Sequence, residues 1–153
     1  MSTDIVIRPA AIGDVYALAR DLRAGDRAEV ASVGKEPRRV LRAARRSSLM
    51  PAKVALVDGA IAAMWGLSGE VLSETGEPWL MTATPCDRVK VSFLRIARAE
   101  LALMLAIKPR LENYVAADYP KAVRLLAGLG FTIEAPQPVG PKHAPFRRFW
   151  IEA

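Results

Sequence analysis

The chain has 153 residues, a formal net charge of +6 at pH 7 and 52% hydrophobic residues. This length and composition fit one compact domain and exclude an intrinsically disordered chain. One cysteine, Cys86, and one histidine, His143, exclude an intrachain disulfide and are too few for a structural zinc site, so we expect no metal. The longest apolar run, residues 60–67, is far shorter than the roughly 20 residues of a membrane-spanning helix, and the N-terminus lacks the regions of a signal peptide.

The first third of the chain predicts one strand followed by helices. Residues 5–9 are rich in β-branched side chains and end at a proline, which is typical of a short strand. Apolar side chains recur at helical spacing over residues 12–22 and predict a first helix. Residues 26–33 and 38–47 predict two more helices, separated by a glycine and a Glu-Pro pair.

The helix predicted over residues 38–47 is strongly basic. A helical projection places its arginines on one side and its apolar residues on the other; the arginines are Arg38, Arg42, Arg45 and Arg46. Two interpretations remain open. The arginines form either a solvated face or a docking face for phosphate or an acidic protein, which the net charge of +6 also favours.

Residues 53–65 predict an antiparallel hairpin, because two apolar runs flank Asp58-Gly59, the pair favoured in type I′ turns. The runs are almost continuously apolar, so we expect both faces of these strands to be covered. A polar connection follows over residues 66–77, with a short strand extension expected at Val71-Leu72. The next strand is predicted over Trp79 to Ala83.

The longest helix is predicted from Asp87 or Arg88 to about Ile107. Its apolar residues form two stripes, so we expect it to be substantially buried. A strand follows over residues 111–116. A second helix then begins at Pro120, with the side chain of Asp118 expected to cap its first turn.

Gly130 is expected to end this second helix in a left-handed conformation. Two strands, residues 131–135 and 146–152, then close the chain and are joined by a proline-rich connection over residues 136–145.

This last helix unit resembles that of the GNAT (Gcn5-related N-acetyltransferase) superfamily. The matching residues are Pro120, Lys121, Ala122, Leu125, Gly130 and Phe131. The order of predicted elements also resembles that superfamily over the whole chain. The resemblance implies an α/β fold with one domain over residues 1–153. Its mixed, mostly antiparallel sheet would have six to seven strands and about four flanking helices, and would splay between residues 79–83 and 111–116.

A narrower resemblance is carried by three segments: Trp79-Leu-Met-Thr, the strand around Asn113-Tyr114 and the tail Phe146-Arg-Arg-Phe. They are similar to a phage GNAT-like family that includes internal virion proteins of short-tailed phages. This resemblance implies a structural or interaction protein whose partners are other virion proteins. It would be located in the virion or in the cytoplasm of a bacterial host.

Active GNAT enzymes bind the pyrophosphate of acetyl-CoA with a loop of the form Gln/Arg-x-x-Gly-x-Gly/Ala at a helix N-terminus. In this chain the two glycine positions fall on Val91 and Phe93, Pro85 removes a backbone donor, and Asp87 adds a negative charge. We therefore expect no cofactor. If acetyl-CoA does bind, the resemblance implies contacts with Met81, Thr82, Arg88, Lys90 and Ser92.

The catalytic residues of the superfamily are not matched. Leu126 stands where the general-acid tyrosine is usual, and Tyr119 stands where asparagine is usual. Tyr114 and Tyr119 are the candidate substitutes for the missing catalytic groups; the alternative for each is a half-buried aromatic residue with no role in chemistry. Two functions therefore compete: a virion-associated interaction protein with a degenerate acyl-CoA site, and an acetyl-CoA-dependent N-acyltransferase with an atypical loop. Binding of nucleic acid through the basic helix is a third, more distant alternative.

Overall fold

A computed structural model of the chain describes residues 2–153. Within these residues lie eight strands: β1 (Ile5–Pro9), β2 (Lys53–Val57), β3 (Ala60–Ser68), β4 (Thr75–Thr82), β5 (Arg110–Ala116), β6 (Thr132–Ile133), β7 (Gln137–Val139) and β8 (Ala144–Glu152). The same residues form five α-helices: α1 (Ile12–Asp21), α2 (Ala24–Ser32), α3 (Pro37–Ser47), α4 (Lys90–Ile107) and α5 (Pro120–Gly128). A short 3-10 helix, Thr84–Val89, joins β4 to α4.

The strands form one mixed sheet in the order β1-β2-β3-β4-β5-β8-β6, with β7 also paired to β8. Every pair is antiparallel except β4 and β5, which pair in parallel only at Thr75–Arg110 and Gly76–Leu111. The predicted sheet class and the divergence of the fourth and fifth strands are thus confirmed. The sheet has one strand more than expected, because part of the proline-rich connection pairs with β8 as β7.

The central hairpin is confirmed, and helices cover both of its faces. Asp58 and Gly59 both have positive φ, as a type I′ turn requires, and β3 is buried from Ile61 to Leu67. On one face Met64 packs with residues of α1 and α3. On the other face Trp65 packs with residues of α4, β5 and β8. In the described part of the chain, no helix is long and apolar enough to cross a bilayer.

Glu100 anchors α4 to the hairpin across this second face. Its carboxylate accepts hydrogen bonds from the indole nitrogen of Trp65 at 3.0 Å and from the Lys53 ammonium at 2.9 Å. The carboxylate is largely buried, and burial of a charge costs free energy unless the charge is paired and hydrogen-bonded. These contacts therefore fix the position of α4 along the strands.

Two expectations about the middle of the chain are wrong. The helix α4 begins at Lys90 rather than at Asp87 or Arg88, because the residues before it form the 3-10 helix. It is also less buried than its two apolar stripes predicted. Met104 is the one residue of α4 that is buried, whereas Leu103 and Ile107 are exposed, because no further layer of residues 2–153 packs outside the helix.

In the segment around α5, one expectation is wrong and two are confirmed. Asp118 does not cap the helix, whose N-cap is Tyr119 and has no side-chain hydrogen bond. Pro120 does occupy the first turn, and Gly130 ends the helix with φ +99°. The N–H of Phe131 returns to the carbonyl of Leu126 at 3.1 Å, as in a glycine-terminated helix.

Two glycines allow the same substitution to be tested with opposite signs. Gly59 has φ +81°, where a Cβ is strained, so Gly59→Ala should lower the free energy of unfolding by about 1 kcal/mol. Gly13 lies in α1 with open space around its missing Cβ, so Gly13→Ala should raise stability by about 0.5 kcal/mol. Denaturant unfolding measures both. Equal effects would contradict the assigned turn.

Candidate functional site in the cleft between β4 and β5

The five residues expected to contact acetyl-CoA do not point into one place. Met81 packs against the core cluster beneath α1, and the Arg88 guanidinium lies 3.6 Å from Asp58 in the hairpin turn. Lys90 is exposed and Ser92 is half-buried at the start of α4. Thr82, at the end of β4, is the member of this set that faces α2 across the cleft.

The cleft between β4 and β5 exists because the two strands separate after Gly76 and Leu111. Backbone groups on the facing edges then have no partner strand, and unpaired buried groups are costly. Near the start of the divergence, the side-chain amide of Asn113 on β5 donates to the carbonyl of Pro78 on β4 at 2.9 Å. A side chain thus replaces the missing ladder bond.

At the far end of the cleft, the side chain of Asp26 on α2 accepts hydrogen bonds from the edge of β4. One carboxylate oxygen accepts from the backbone N–H of Thr82 at 2.7 Å and from its hydroxyl at 2.8 Å. Arg23 completes the arrangement. Its backbone N–H donates to the Thr82 carbonyl at 2.9 Å, and its Nε donates to the Thr82 hydroxyl at 3.0 Å. Every polar atom of Thr82 therefore has a partner within this chain.

Glu29, one helical turn further along α2, accepts a hydrogen bond from the opposite strand, β5. Its carboxylate accepts from the backbone N–H of Ala116 on β5 at 3.2 Å. The helix α2 thereby bridges the two diverging strands. The space left beside it is about 110 Å³, room for a few water molecules. Its lining residues are Gly25, Ala28, Glu29, Ser32, Ala116, Asp118 and Tyr119.

Burial of these carboxyl groups changes their acidity. Desolvation raises the pKa of Asp26, although the hydrogen bonds from Thr82 oppose the shift. Desolvation raises the pKa of Glu29 to about 7, and the charges of Asp26 and Asp118 act in the same direction. Near neutral pH the carboxyl group of Glu29 is therefore divided between its protonated and ionised forms.

Tyr119 packs directly on α2, and Gly25 makes this possible. A Cβ at position 25 would lie 2.4 Å from Cζ of the tyrosine ring, so no larger residue fits without moving the ring. Burial, together with the negative charge of Asp26, raises the pKa of Tyr119. The phenol therefore keeps its proton at neutral pH.

The segment before α4 is held by charge pairs. Asp87 lies 3.0 Å from the Arg23 guanidinium and 2.9 Å from the Lys121 ammonium. Hydrogen bonds from Arg23 and then Lys121 lower the pKa of Asp87 to about 2. Asp87 is therefore not an isolated negative charge. It ties α2 and α5 to the 3-10 helix, where the resemblance places a pyrophosphate.

The remaining candidates for chemistry take structural positions. Phe93 and Leu126 pack against the core, so Val91 is the exposed one of the two residues at the glycine positions. Burial raises the pKa of the Cys86 thiol to about 11, which keeps it protonated and a poor nucleophile. Tyr114 is exposed on β5.

In the basic helix α3, one of the four arginines does not lie on the exposed face that the helical projection predicted. Arg45 is half-buried, and its Nε donates to the carbonyl of Ala10 at the start of α1 at 3.0 Å. It therefore turns away from the face on which it was expected. Arg38, Arg42 and Arg46 are exposed, together with Arg39.

The sequence analysis missed Arg23, Asp26 and Glu29. Asp26 and Glu29 lie on α2, which the sequence predicted as a helix over residues 26–33 but to which it assigned no role, and Arg23 is the N-cap residue of that helix. The one available signal was the i, i+3 spacing of the two acids, which places both carboxylates on one side of a helix.

Comparison with solved structures identifies the fold. The chain is 18% identical to a GNAT-family acetyltransferase from Streptococcus pneumoniae, with a TM-score of 0.64 over 98% of this chain and 100% of that one. It is 17% identical to spermidine N-acetyltransferase from Vibrio cholerae in complex with CoA and spermine, with a TM-score of 0.68 over 97% and 95%. It is 17% identical to a putative acetyltransferase from Salmonella typhimurium with acetyl-CoA, with a TM-score of 0.65 over 97% and 93%.

These likenesses extend over nearly the whole chain, so the fold is that of the GNAT acetyltransferases. No protein-family model matches the sequence. No curated protein matches it either. At identities below one fifth, the likeness concerns the fold and not the reaction.

The acidity of Glu29 predicts how stability depends on pH. Its folded pKa of about 7 lies above the ordinary value of 4.5, so its contribution is fully present below pH 4.5 and is lost as the pH rises through 7. The loss is at most about 3 kcal/mol. Glu29→Gln keeps an acceptor for Ala116 and should flatten the dependence. The exposed Glu74→Gln is the control; equal profiles for both variants would contradict the assignment.

Proposed function

We propose that this chain uses the GNAT fold as a scaffold for binding partners and does not transfer acetyl groups. The observation that supports the proposal is the engagement of Thr82 by Arg23 and Asp26. A cofactor lying against the end of β4 would have to displace both side chains. It would also expose the buried carboxyl group of Asp26.

The charge pairs before α4 add to this argument. Pyrophosphate binding at a helix N-terminus needs free backbone donors and an uncompensated positive field. Here two cations at this segment, Arg23 and Lys121, already share Asp87, and Arg88 lies 3.6 Å from Asp58. Pro85 lacks an N–H in the same segment. A diphosphate would therefore compete with an internal anion for both cations.

Within this scaffold role, we propose that the chain associates with virion proteins of a phage or prophage. The support is the resemblance of the segments at Trp79, Asn113 and Phe146 to the phage GNAT-like family. The exposed arginines of α3 are the surface that this proposal offers to an acidic partner protein; nucleic acid at the same surface is the alternative.

Acetyl-CoA-dependent N-acylation is the second candidate, and the comparisons favour it over the virion role. The structures named above are those of known or putative acetyltransferases, and two of them contain CoA or acetyl-CoA. In this candidate α2 would have to leave the cleft before the cofactor binds. Tyr119, which keeps its proton, would be the first residue to test as the general acid.

Calorimetric titration of acetyl-CoA into the purified protein separates the two candidates. We expect no measurable heat of binding and no change in melting temperature, because β4 has no free donor at Thr82. A cofactor present at about 100 times its dissociation constant would stabilise the fold by about 2.7 kcal/mol, which a melting curve detects.

Release of free CoA thiol in the presence of an amine panel is the matching activity assay. Micromolar binding together with acetylated amine would refute the scaffold proposal. Tyr119→Phe should then abolish turnover while leaving binding intact. For the virion role, mass spectrometry of purified particles from the source phage or prophage should detect the chain; its absence from particles would refute that role.

A further inference from the structure

The loop between β3 and β4, residues 69–74, exposes two aliphatic side chains at its tip. Val71 is 79% exposed and Leu72 is 97% exposed. The sequence predicted a strand extension here, but the residues form a turn closed by a hydrogen bond from Ser73 N–H to the Glu70 carbonyl at 3.2 Å. Two neighbouring exposed aliphatic residues at one tip indicate a contact surface.

The loop is held in place by a buried lysine. The ammonium of Lys108 donates to the carbonyls of Glu70 and Val71, each at 2.9 Å, and to that of Ser73. Lys108 itself is 6% exposed. Since burial of an ammonium is costly, its use here on backbone carbonyls fixes the loop before any partner arrives.

The charge around the tip is negative. Glu70 and Glu74 flank the aliphatic pair, and Glu77 follows at the start of β4; all three are exposed. Among residues 2–153, none of them forms an ion pair. A partner suited to this tip is therefore apolar at its centre and basic at its rim.

A surface of that kind lies on the same chain. The exposed side of α3 carries Arg42 and Arg46, which form no ion pair within the described residues. Beside them on α1 are the exposed side chains of Ile12 and Tyr16. The Arg38 guanidinium lies 5.9 Å from the centre of the Tyr16 ring, which places α1 and α3 side by side on this face.

We propose that this chain self-associates, with the loop 69–74 of one copy docked on the α1–α3 face of a second copy. Val71 and Leu72 lie against Ile12 and Tyr16, and the loop glutamates pair with the α3 arginines. The contact is independent of the function of the cleft.

The two surfaces adjoin at one point, where the end of α3 meets the start of the loop. The hydroxyl of Ser47, at the end of α3, lies 3.4 Å from that of Ser68, where the loop begins. When a positive and a negative patch lie side by side, a two-fold axis brings the positive patch of each copy onto the negative patch of the other. The contact therefore closes as a dimer in which each copy supplies both surfaces.

The mixed charge of this region favours a second copy over other partners. Phosphate backbones and anionic membranes would be repelled by Glu70 and Glu74, which adjoin the arginines through Ser47 and Ser68. Arg38 already covers a face of the Tyr16 ring, so the ring is not free on that side to stack a nucleic-acid base.

Sedimentation equilibrium over micromolar to millimolar protein tests the proposal. We expect a monomer–dimer equilibrium that weakens as salt is added. The face variant, Arg42→Glu with Arg46→Glu, and the loop variant, Glu70→Lys with Glu74→Lys, should each weaken dimerisation at least about tenfold, because like charges then meet. Leu72→Ser should weaken it without lowering stability, since the side chain is solvent-exposed in the monomer.

Mixing the face variant with the loop variant is the decisive measurement. Each carries the surface that complements the other, so the mixture should form a heterodimer more tightly than either variant dimerises alone. Arg95→Glu and Asp4→Lys, exposed positions outside both surfaces, are the matched controls and should leave dimerisation unchanged. Melting curves check that each variant is folded.

Three results would overturn the proposal. The first is a wild-type protein that stays monomeric at every concentration. The second is a dimer that neither charge reversal weakens, or a mixture of the two variants that fails to associate. The third is an open series of larger oligomers, which is incompatible with two-fold closure. Binding of a single-stranded oligonucleotide by the wild type without dimer formation would assign the α3 arginines to nucleic acid instead.

Discussion

The divergence of β4 and β5 is the constraint on which the rest of the structure depends. Two parallel strands that separate after two residue pairs leave donors and acceptors facing an open cleft, and these groups must find partners. At the narrow end the side chain of Asn113 hydrogen-bonds to one of these backbone groups. At the wide end the carboxylates of Asp26 and Glu29 do so. The placement of α2, with Gly25 against the ring of Tyr119, follows from that requirement.

The partners at the wide end of the cleft, Asp26 and Glu29, are carboxylates, and this affects stability. A buried carboxylate that accepts one backbone hydrogen bond recovers only part of its lost hydration, which is why the pKa of Glu29 rises to about 7. A neutral amide would satisfy Ala116 at lower cost. The acids therefore keep α2 docked less firmly than amides would, and the docking loosens as the pH rises.

Much of the fold could be predicted because its signals are local. The Asp58-Gly59 turn, the Pro120 start and the Gly130 end each have a backbone cause that acts within a few residues. The predictions that failed concern residues whose positions depend on contacts far away in the sequence. Arg45 leaves its predicted face because the free carbonyl of Ala10, 35 residues away, lies within reach. The role of α2 depends on a cleft formed by strands more than 50 residues downstream, so its acids looked like ordinary surface charges.

The same cleft separates the two candidate functions on physical grounds. A GNAT enzyme needs the edge of β4 free when its cofactor arrives, whereas this chain satisfies that edge with its own carboxylate and arginine. Opening it would break the Thr82 hydrogen bonds and the Arg23–Asp87 pair together, since Arg23 takes part in both. Contacts that share a residue are energetically coupled, so the two are not lost independently. Acetyl transfer by this chain would therefore require a binding free energy that exceeds the cost of breaking these coupled contacts.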